Sequence, residues 1–306
     1  MNFAIVLGNF DGCHLGHIAL FNALKKEAAA RGLSPLAISF EPHTRHIIQE
    51  PGCPELLTPK NEKRDLIEQL GIPLEIQEFN KDLFAMTFRS FVEEYAIKKF
   101  GAKLWVLGLD QRFGRGGKGS VETLRAFFPN LEVSEISPVL YPSNVSGGVP
   151  PALLPKGTPL KNPEQPISAS RIRAELKDGN IEIANAMLGR NYSVSGVVVH
   201  GLGQGRLLGF PTANLEIPQY KLLPKNGVYK GFLKSEKYDC VVNIGTRPSF
   251  KNRSVGFEAH LLNFNGDLYG KTLCVELTHR IRDEIKFDNI EGLKRQIKRD
   301  VEGSKE

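Results

Sequence analysis

The feature that most constrains this chain is a change of hydrophobic period near Tyr192. Before it, short apolar runs alternate with helix-length amphipathic segments: FAIVLGNF, then HIALFNALKKEAAARG, LAISF, and later FVEEYAIKKFG ahead of KLWVLGLD. Strands separated by crossovers of that length form a parallel sheet covered on both faces, with ligands at the carboxyl ends of its strands. After it, β-branched period-two runs follow one another between Gly, Asn and Asp turns: YSVSGVVVHG, NGVYKGFL, YDCVVNIG, GFEAHLLNF and KTLCVELTHRI. One late amphipathic stretch, DNIEGLKRQIKRD, comes after them. This half predicts a small antiparallel β-barrel closed by a C-terminal helix. A length of 306 residues suits two such domains.

Between the halves, residues 141–166 read YPSNVSGGVPPALLPKGTPLKNPEQP, dense in Pro, Gly and Ser, which predicts an irregular segment. Order resumes at ISASRIRAELKDGNIEIANAMLG, spaced as two short helices, with Gly189 as the C-cap of the second.

Composition excludes several classes. With 41% hydrophobic and 24% charged residues the chain is neither disordered nor fibrous. Its net charge of +6 is scattered rather than gathered on one helix or tail. That suits phosphorylated small molecules and argues against a nucleic-acid partner. Cys13, Cys53, Cys240 and Cys274 form no CxxC pair, so neither a zinc knuckle nor a disulfide framework is expected. No run reaches the roughly 18 apolar residues of a membrane helix. The start reads as a buried strand rather than a signal peptide, and a cytoplasmic enzyme without membrane partners is the expectation. A weak homo-oligomer is compatible with it.

The segment GNFDGCHLGH, residues 8–17, follows the first strand and opens the first helix. Backbone amides and the helix dipole favour an anion there, and Gly8, Gly12 and Gly16 let ligand and backbone approach. Asn9, Phe10 and Asp11 lie within the same turn. His14 and His17 share a face of the helix and can reach one phosphate; equally, such a pair can cap and pack. HxxH supplies too few ligands for zinc, and the P-loop Lys-Ser/Thr is missing.

A second glycine-rich stretch, GLGQGRLLGFPTANL, covers residues 201–215. Gly203, Gly205 and Gly209, with Arg206 among them, suit a loop that closes over phosphates, and Thr212 and Asn214 offer neutral oxygens to Mg²⁺. The alternative is an ordinary barrel turn.

These segments resemble, in order and over nearly the whole chain, the bacterial bifunctional riboflavin kinase/FAD synthetase family. GNFDGCHLGH, ISFEPH at 38–43, GLDQRFG at 108–114 and ISASRIR at 167–173 are similar to its adenylylating motifs. HGLGQGRLLGFPTAN, NIGTRPSF, FEAHLLNF, LYG and RIRDEIKF are similar to its kinase motifs. The resemblance implies a Rossmann-like nucleotidyltransferase domain over 1–188 and a riboflavin kinase barrel over 189–306. It implies ATP and Mg²⁺ as co-substrate and cofactor, with riboflavin, FMN and FAD as substrates and products. It assigns His14 and His17 to phosphate stabilisation and Ser170, Arg171 and Arg173 to the leaving phosphates. Asp110 becomes a nucleotide or flavin contact, with a strand-end turn residue as its other reading. Glu258 becomes the kinase carboxylate, on a strand whose alternation turns Phe257 and Ala259 away from it. Arg282, Glu284 and Phe287 fall on the flavin side.

The resemblance has departures. The 141–166 segment is long for the family, ISASRIR carries Ala169 and Ser170 where Ser and Thr are usual, Gln111 replaces an aromatic, and Ser249 a threonine. The first three predict an FAD synthesis slower or more restricted than the kinase reaction. The competing readings are a monofunctional riboflavin kinase with a degenerate adenylylating domain, and a flavin- or nucleotide-binding regulator without catalysis.

Overall fold

The computed structural model describes residues 2–48, 54–142, 164–201, 210–235, 238–246, 255–285 and 290–303. The described chain divides between Ala169 and Ser170 into two compact units.

The first unit is built on five strands, β1 (Phe3–Leu7), β2 (Ser34–Glu41), β3 (Leu74–Glu78), β4 (Ala102–Gly108) and β5 (Glu132–Ile136), in the order β3-β2-β1-β4-β5. Every pairing is parallel, as the βαβ rhythm predicted. The helices are α1 (Leu15–Arg31), α2 (Thr44–Ile48), α3 (Lys60–Gln69), α4 (Lys81–Ala85), α5 (Phe88–Ser90) and α6 (Val121–Phe127). FVEEYAIKK, expected as a helix, winds as a π-helix over Phe91–Lys99. Strand β1 shows why its run is apolar without alternation. Ile5 and Leu7 enter one core with Trp105, Leu107 and Phe91, while Ala4 and Val6 enter the other with Phe21 and Leu24. A strand buried on both faces has no polar side, and burying each such large side chain stabilises by about 1.5–3 kcal/mol.

Strand order reverses between β1 and β4. The loops leaving their carboxyl ends therefore diverge and leave a crevice, the ordinary ligand position of an open α/β sheet. GNFDGCHLGH leaves β1 there and GLDQRFG leaves β4.

The irregular segment begins and ends as paired strands, β6 (Leu140–Pro142) and β7 (Glu164–Pro166). The rest of it lies outside the described residues.

The second unit opens with α7 (Ala169–Asp178), whose first residue belongs to the other unit, and α8 (Ile181–Leu188). Gly189 ends α8 at φ 73°, the left-handed cap expected of it. The barrel comprises β8 (Tyr192–Val199), β9 (Ala213–Glu216), β10 (Gly227–Leu233), β11 (Asp239–Thr246), β12 (Val255–Leu261) and β13 (Thr272–Arg282), closed in the order β10-β11-β12-β9-β8-β13. Its pairings are antiparallel. Helix α8 is tied to it by the buried Asn185, whose amide donates to the Leu277 carbonyl at 2.9 Å and accepts from the Tyr192 N–H at 2.7 Å. The terminal helix α9 (Ile290–Gly303) occupies the amphipathic stretch predicted for it. Among the barrel strands, one escaped the sequence reading: Ala213–Glu216, read as part of a glycine-rich loop, is strand β9. Four residues carry too little period to declare a strand, and pairing with β8 and β12 on either side makes it one.

Candidate active sites

At the end of β1 the chain turns through two left-handed non-glycine residues, Phe10 at φ 47° and Cys13 at φ 39°. Such backbone is costly and persists where surroundings over-determine it, and the surroundings here are specific. The Cys13 N–H donates to the Phe10 carbonyl at 3.0 Å. The buried Asp11 carboxylate accepts the Leu57 and Thr58 N–H groups at 3.1 and 2.9 Å, and the Gly12 N–H donates to the Thr58 hydroxyl at 2.8 Å. Asn9 holds Thr44 on α2 through its side-chain amide at 2.9 Å. Asn9 and Asp11, candidates for ATP contact, thus also brace the loop.

This bracing presents the histidines. His14 is the N-cap residue of α1 and is buried; His17 lies in the first turn and is half-buried. Their rings stack with centroids 3.7 Å apart and planes 19° from parallel. The Phe10 ring abuts His17 edge-on at 5.4 Å. Two of the glycines make room for these rings: a Cβ on Gly8 would sit 2.7 Å from the Phe10 ring, and one on Gly16 3.1 Å from the His14 ring. The first turn of α1 contains no acidic residue, so the positive end of the helix favours an anion there.

Across the crevice, Asp110 is exposed in the turn after β4, and Gln111 Nε2 donates to the Leu7 carbonyl at 2.8 Å, joining the two loops. Ser170, Arg171 and Arg173 lie at the start of α7, with Ile172 and Leu176 buried beneath them. That helix belongs to the second unit. Sequence reasoning missed Lys63 and Glu41: the ammonium donates to Glu41 Oε1 at 2.7 Å and to the Asn9 carbonyl at 3.2 Å, with 3% of the lysine side chain exposed.

On the barrel, Glu258 pairs directly with Asn214 of β9 on one side and with Asn243 of β11 on the other. Residues directly opposite in an antiparallel ladder share a face. Phe257 and Ala259 are fully buried on the opposite one, as alternation required. Asn214 is buried and Glu258 half-buried. A Cβ on Gly201 would lie 2.4 Å from Asn214 Nδ2, so this glycine is what lets the amide sit against the loop. His260, two residues beyond Glu258, hydrogen-bonds the Pro211 carbonyl at 2.8 Å and steadies the approach to Thr212, which is half-buried just before β9. His200 stacks on Tyr269 at 3.9 Å immediately before Gly201. Gly203, Gly205, Arg206, Gly209, Ser249 and Phe287 lie outside the described residues.

Of the flavin-side candidates, Arg282 binds the buried Asp300 of α9 through two nitrogens, Nε to Oδ1 at 3.0 Å and Nη2 to Oδ2 at 2.6 Å. Glu284 is exposed and accepts from Asn226 at 3.1 Å. No cluster of three or more His, Cys, Asp or Glu residues suited to a metal exists among the described residues. A Mg²⁺ held mainly by phosphate oxygens needs no such cluster, and the amide of Asn214 on the same face as the Glu258 carboxylate fits that mode.

An α/β unit whose GNFDGCHLGH turn opens a helix at the sheet's switch point, followed by a closed barrel with Glu258 opposite Asn214, frames a two-domain enzyme of phosphate chemistry. The family model for FAD synthetase matches residues 1–145, and that for riboflavin kinase matches 188–306. The bifunctional riboflavin kinase/FMN adenylyltransferase of Bacillus subtilis (strain 168) is 33% identical over 303 residues, covering 97% of this chain and 89% of that protein. Its counterpart in Escherichia coli (strain K12) is 32% identical over 300 residues, covering 97% and 90%. A crystal structure described as a macrolide-efflux protein from Streptococcus pneumoniae aligns with TM-score 0.83 and 30% identity, covering 99% of this chain and 94% of that one. The chain belongs to the bifunctional riboflavin kinase/FMN adenylyltransferase family.

Proposed function

We propose that this chain phosphorylates riboflavin to FMN on the barrel and adenylylates FMN to FAD at the carboxyl edge of the parallel sheet, releasing pyrophosphate. The observations that support the reading are the stacked His14–His17 pair at the head of α1 in one unit and Glu258 paired across the ladder with Asn214 in the other.

In the kinase reaction the terminal ribityl hydroxyl attacks the γ-phosphorus of ATP. It must lose a proton as it does so, and Glu258 takes it. Gly203, Gly205, Arg206 and Gly209, outside the described residues, are assigned to ATP. Thr212 and Asn214 would hold Mg²⁺, which when bound disperses phosphate charge. Arg282 and Glu284 lie toward the flavin.

In the second reaction a phosphate oxygen of FMN attacks the α-phosphorus of ATP and the bond to pyrophosphate breaks. The nucleophile is already an anion, so no base is needed; positioning and charge dispersal dominate. Gly8, Asn9, Phe10, Asp11 and Gly12 form the cradle, and His14 and His17 donate to the phosphates. Ser170, Arg171 and Arg173 take up the leaving group, Arg by bidentate pairing. Asp110 contacts nucleotide or flavin. We assign adenylylation to residues 1–188 and the kinase to 189–306, with the enzyme acting in the cytoplasm on small molecules, without nucleic acid or membrane.

The test is chromatography of flavins after incubation with riboflavin, ATP and Mg²⁺, using Glu258→Ala and the double variant His14→Ala, His17→Ala. Support is a Glu258 variant blocked at riboflavin yet converting supplied FMN, and a His variant stopping at FMN. A parent chain that stops at FMN would establish the monofunctional kinase instead.

A further inference from the structure

Lys63 is the deepest-buried described cation of the first unit, 2% exposed on the first turn of α3, and none of the chemistry above uses it. Its ammonium meets one carboxylate oxygen of Glu41 at 2.7 Å and one peptide oxygen, that of Asn9, at 3.2 Å. The Asn9 oxygen is shared with the buried Ser39 hydroxyl at 3.3 Å. Two donors from two elements, β2 and α3, thus grip a single carbonyl in the middle of GNFDGCHLGH.

The peptide they grip is the one entering Phe10, whose φ of 47° is left-handed. In a trans peptide the N–H points opposite to the C=O. Holding the Asn9 oxygen against β2 and α3 therefore turns the Phe10 N–H to the other side of the loop. A buried cation on the carbonyl also polarises the peptide and strengthens that N–H as a donor. The ring of the same Phe10 lies edge-on to His17.

We propose that Lys63 is a positioning residue for adenylyl transfer: through the Asn9 carbonyl it sets the Asn9–Phe10 peptide, whose N–H, with the two histidines, receives phosphate oxygens as pyrophosphate departs. Lys63 touches no substrate. Ser39 is its junior partner. The proposal rests on the assignment of adenylylation to this loop.

The experiment is steady-state kinetics of both reactions on the full chain, comparing the parent with K63M, S39A and the double histidine variant. In K63M, kcat for FMN adenylylation falls by on the order of 100-fold with the FMN KM within about twofold, because a donor aimed at developing charge acts on the transition state. The pyrophosphate inhibition constant rises about tenfold, and S39A lowers kcat about tenfold. Riboflavin phosphorylation is unchanged in both. A K63M chain with parental kcat and pyrophosphate inhibition overturns the inference even if it melts earlier, since a merely structural lysine would alter stability alone. If K63M does not fold, as judged by circular dichroism, S39A decides, and a parental adenylylation rate there overturns it. Full adenylylation in the double histidine variant would instead overturn the site assignment itself.

Discussion

Glu258 stands directly across the β9–β12 ladder from Asn214, and both side chains leave the barrel wall on the same face. Strand register sets the spacing of this carboxylate and amide along the wall, and Gly201 leaves the room in which the amide sits.

Glu258→Gln is expected to lower kcat for riboflavin phosphorylation by about 10²–10⁴-fold while leaving adenylylation of supplied FMN intact. Initial rates of the two reactions, measured separately, check this. Asn214→Ala should raise the Mg²⁺ concentration needed for half-maximal kinase rate, read from a magnesium titration.

Gly201→Ala puts a Cβ 2.4 Å from Asn214 Nδ2. The amide must move, so kinase activity should fall by about tenfold or more, since small misplacements of reacting groups are costly. The melting temperature should change little, because Gly201 is exposed. Kinase kinetics beside a thermal melt separate the two effects.

The stacked rings of His14 and His17, 3.7 Å apart, act as a unit. Each single Ala variant is expected to lose adenylylation by about 100-fold, and the double variant little more than the worse single one, because residues that act together are non-additive. A double-mutant cycle on kcat measures this.

The Arg282–Asp300 pair pins α9 to the end of β13. Asp300→Ala leaves a mostly buried guanidinium without its carboxylate, at a cost of about 3 kcal/mol. Urea unfolding followed by hydrogen exchange over residues 290–303 should show the loss, with the helix amides exchanging first.

Burial pushes the Cys240 thiol from an ordinary 9.0 up to about 12. A raised acid pKa means the folded chain holds its proton longer than the unfolded one. Stability is therefore whole below pH 9 and declines as pH rises from there toward 12. Cys240→Ala should flatten this alkaline decline, read from melting temperatures between pH 8 and 11. The native thiol should also react slowly with alkylating reagents at pH 8.

The alternation of apolar runs with helix-length segments was enough to predict the parallel sheet. The period-two runs after Tyr192 were enough for the barrel, and GNFDGCHLGH for a strand-to-helix turn at the head of α1. Strand β9 was not legible, because four residues cannot display a period. Nor was the Arg282–Asp300 pair, because Asp300 lies on a helix that sequence could place but not orient.

What sequence determined by itself is local: period, turn chemistry and the position of each motif between a strand and a helix, all set by residues a few places apart. What only the tertiary structure decided is which distant groups meet. Gln111 reaches the Leu7 carbonyl across 104 residues, Lys63 reaches Asn9 across 54, and Glu258 meets Asn214 through strand register. Buried polar groups must find partners, but no local pattern states which partner the packing of sheet and helices will bring within 3 Å.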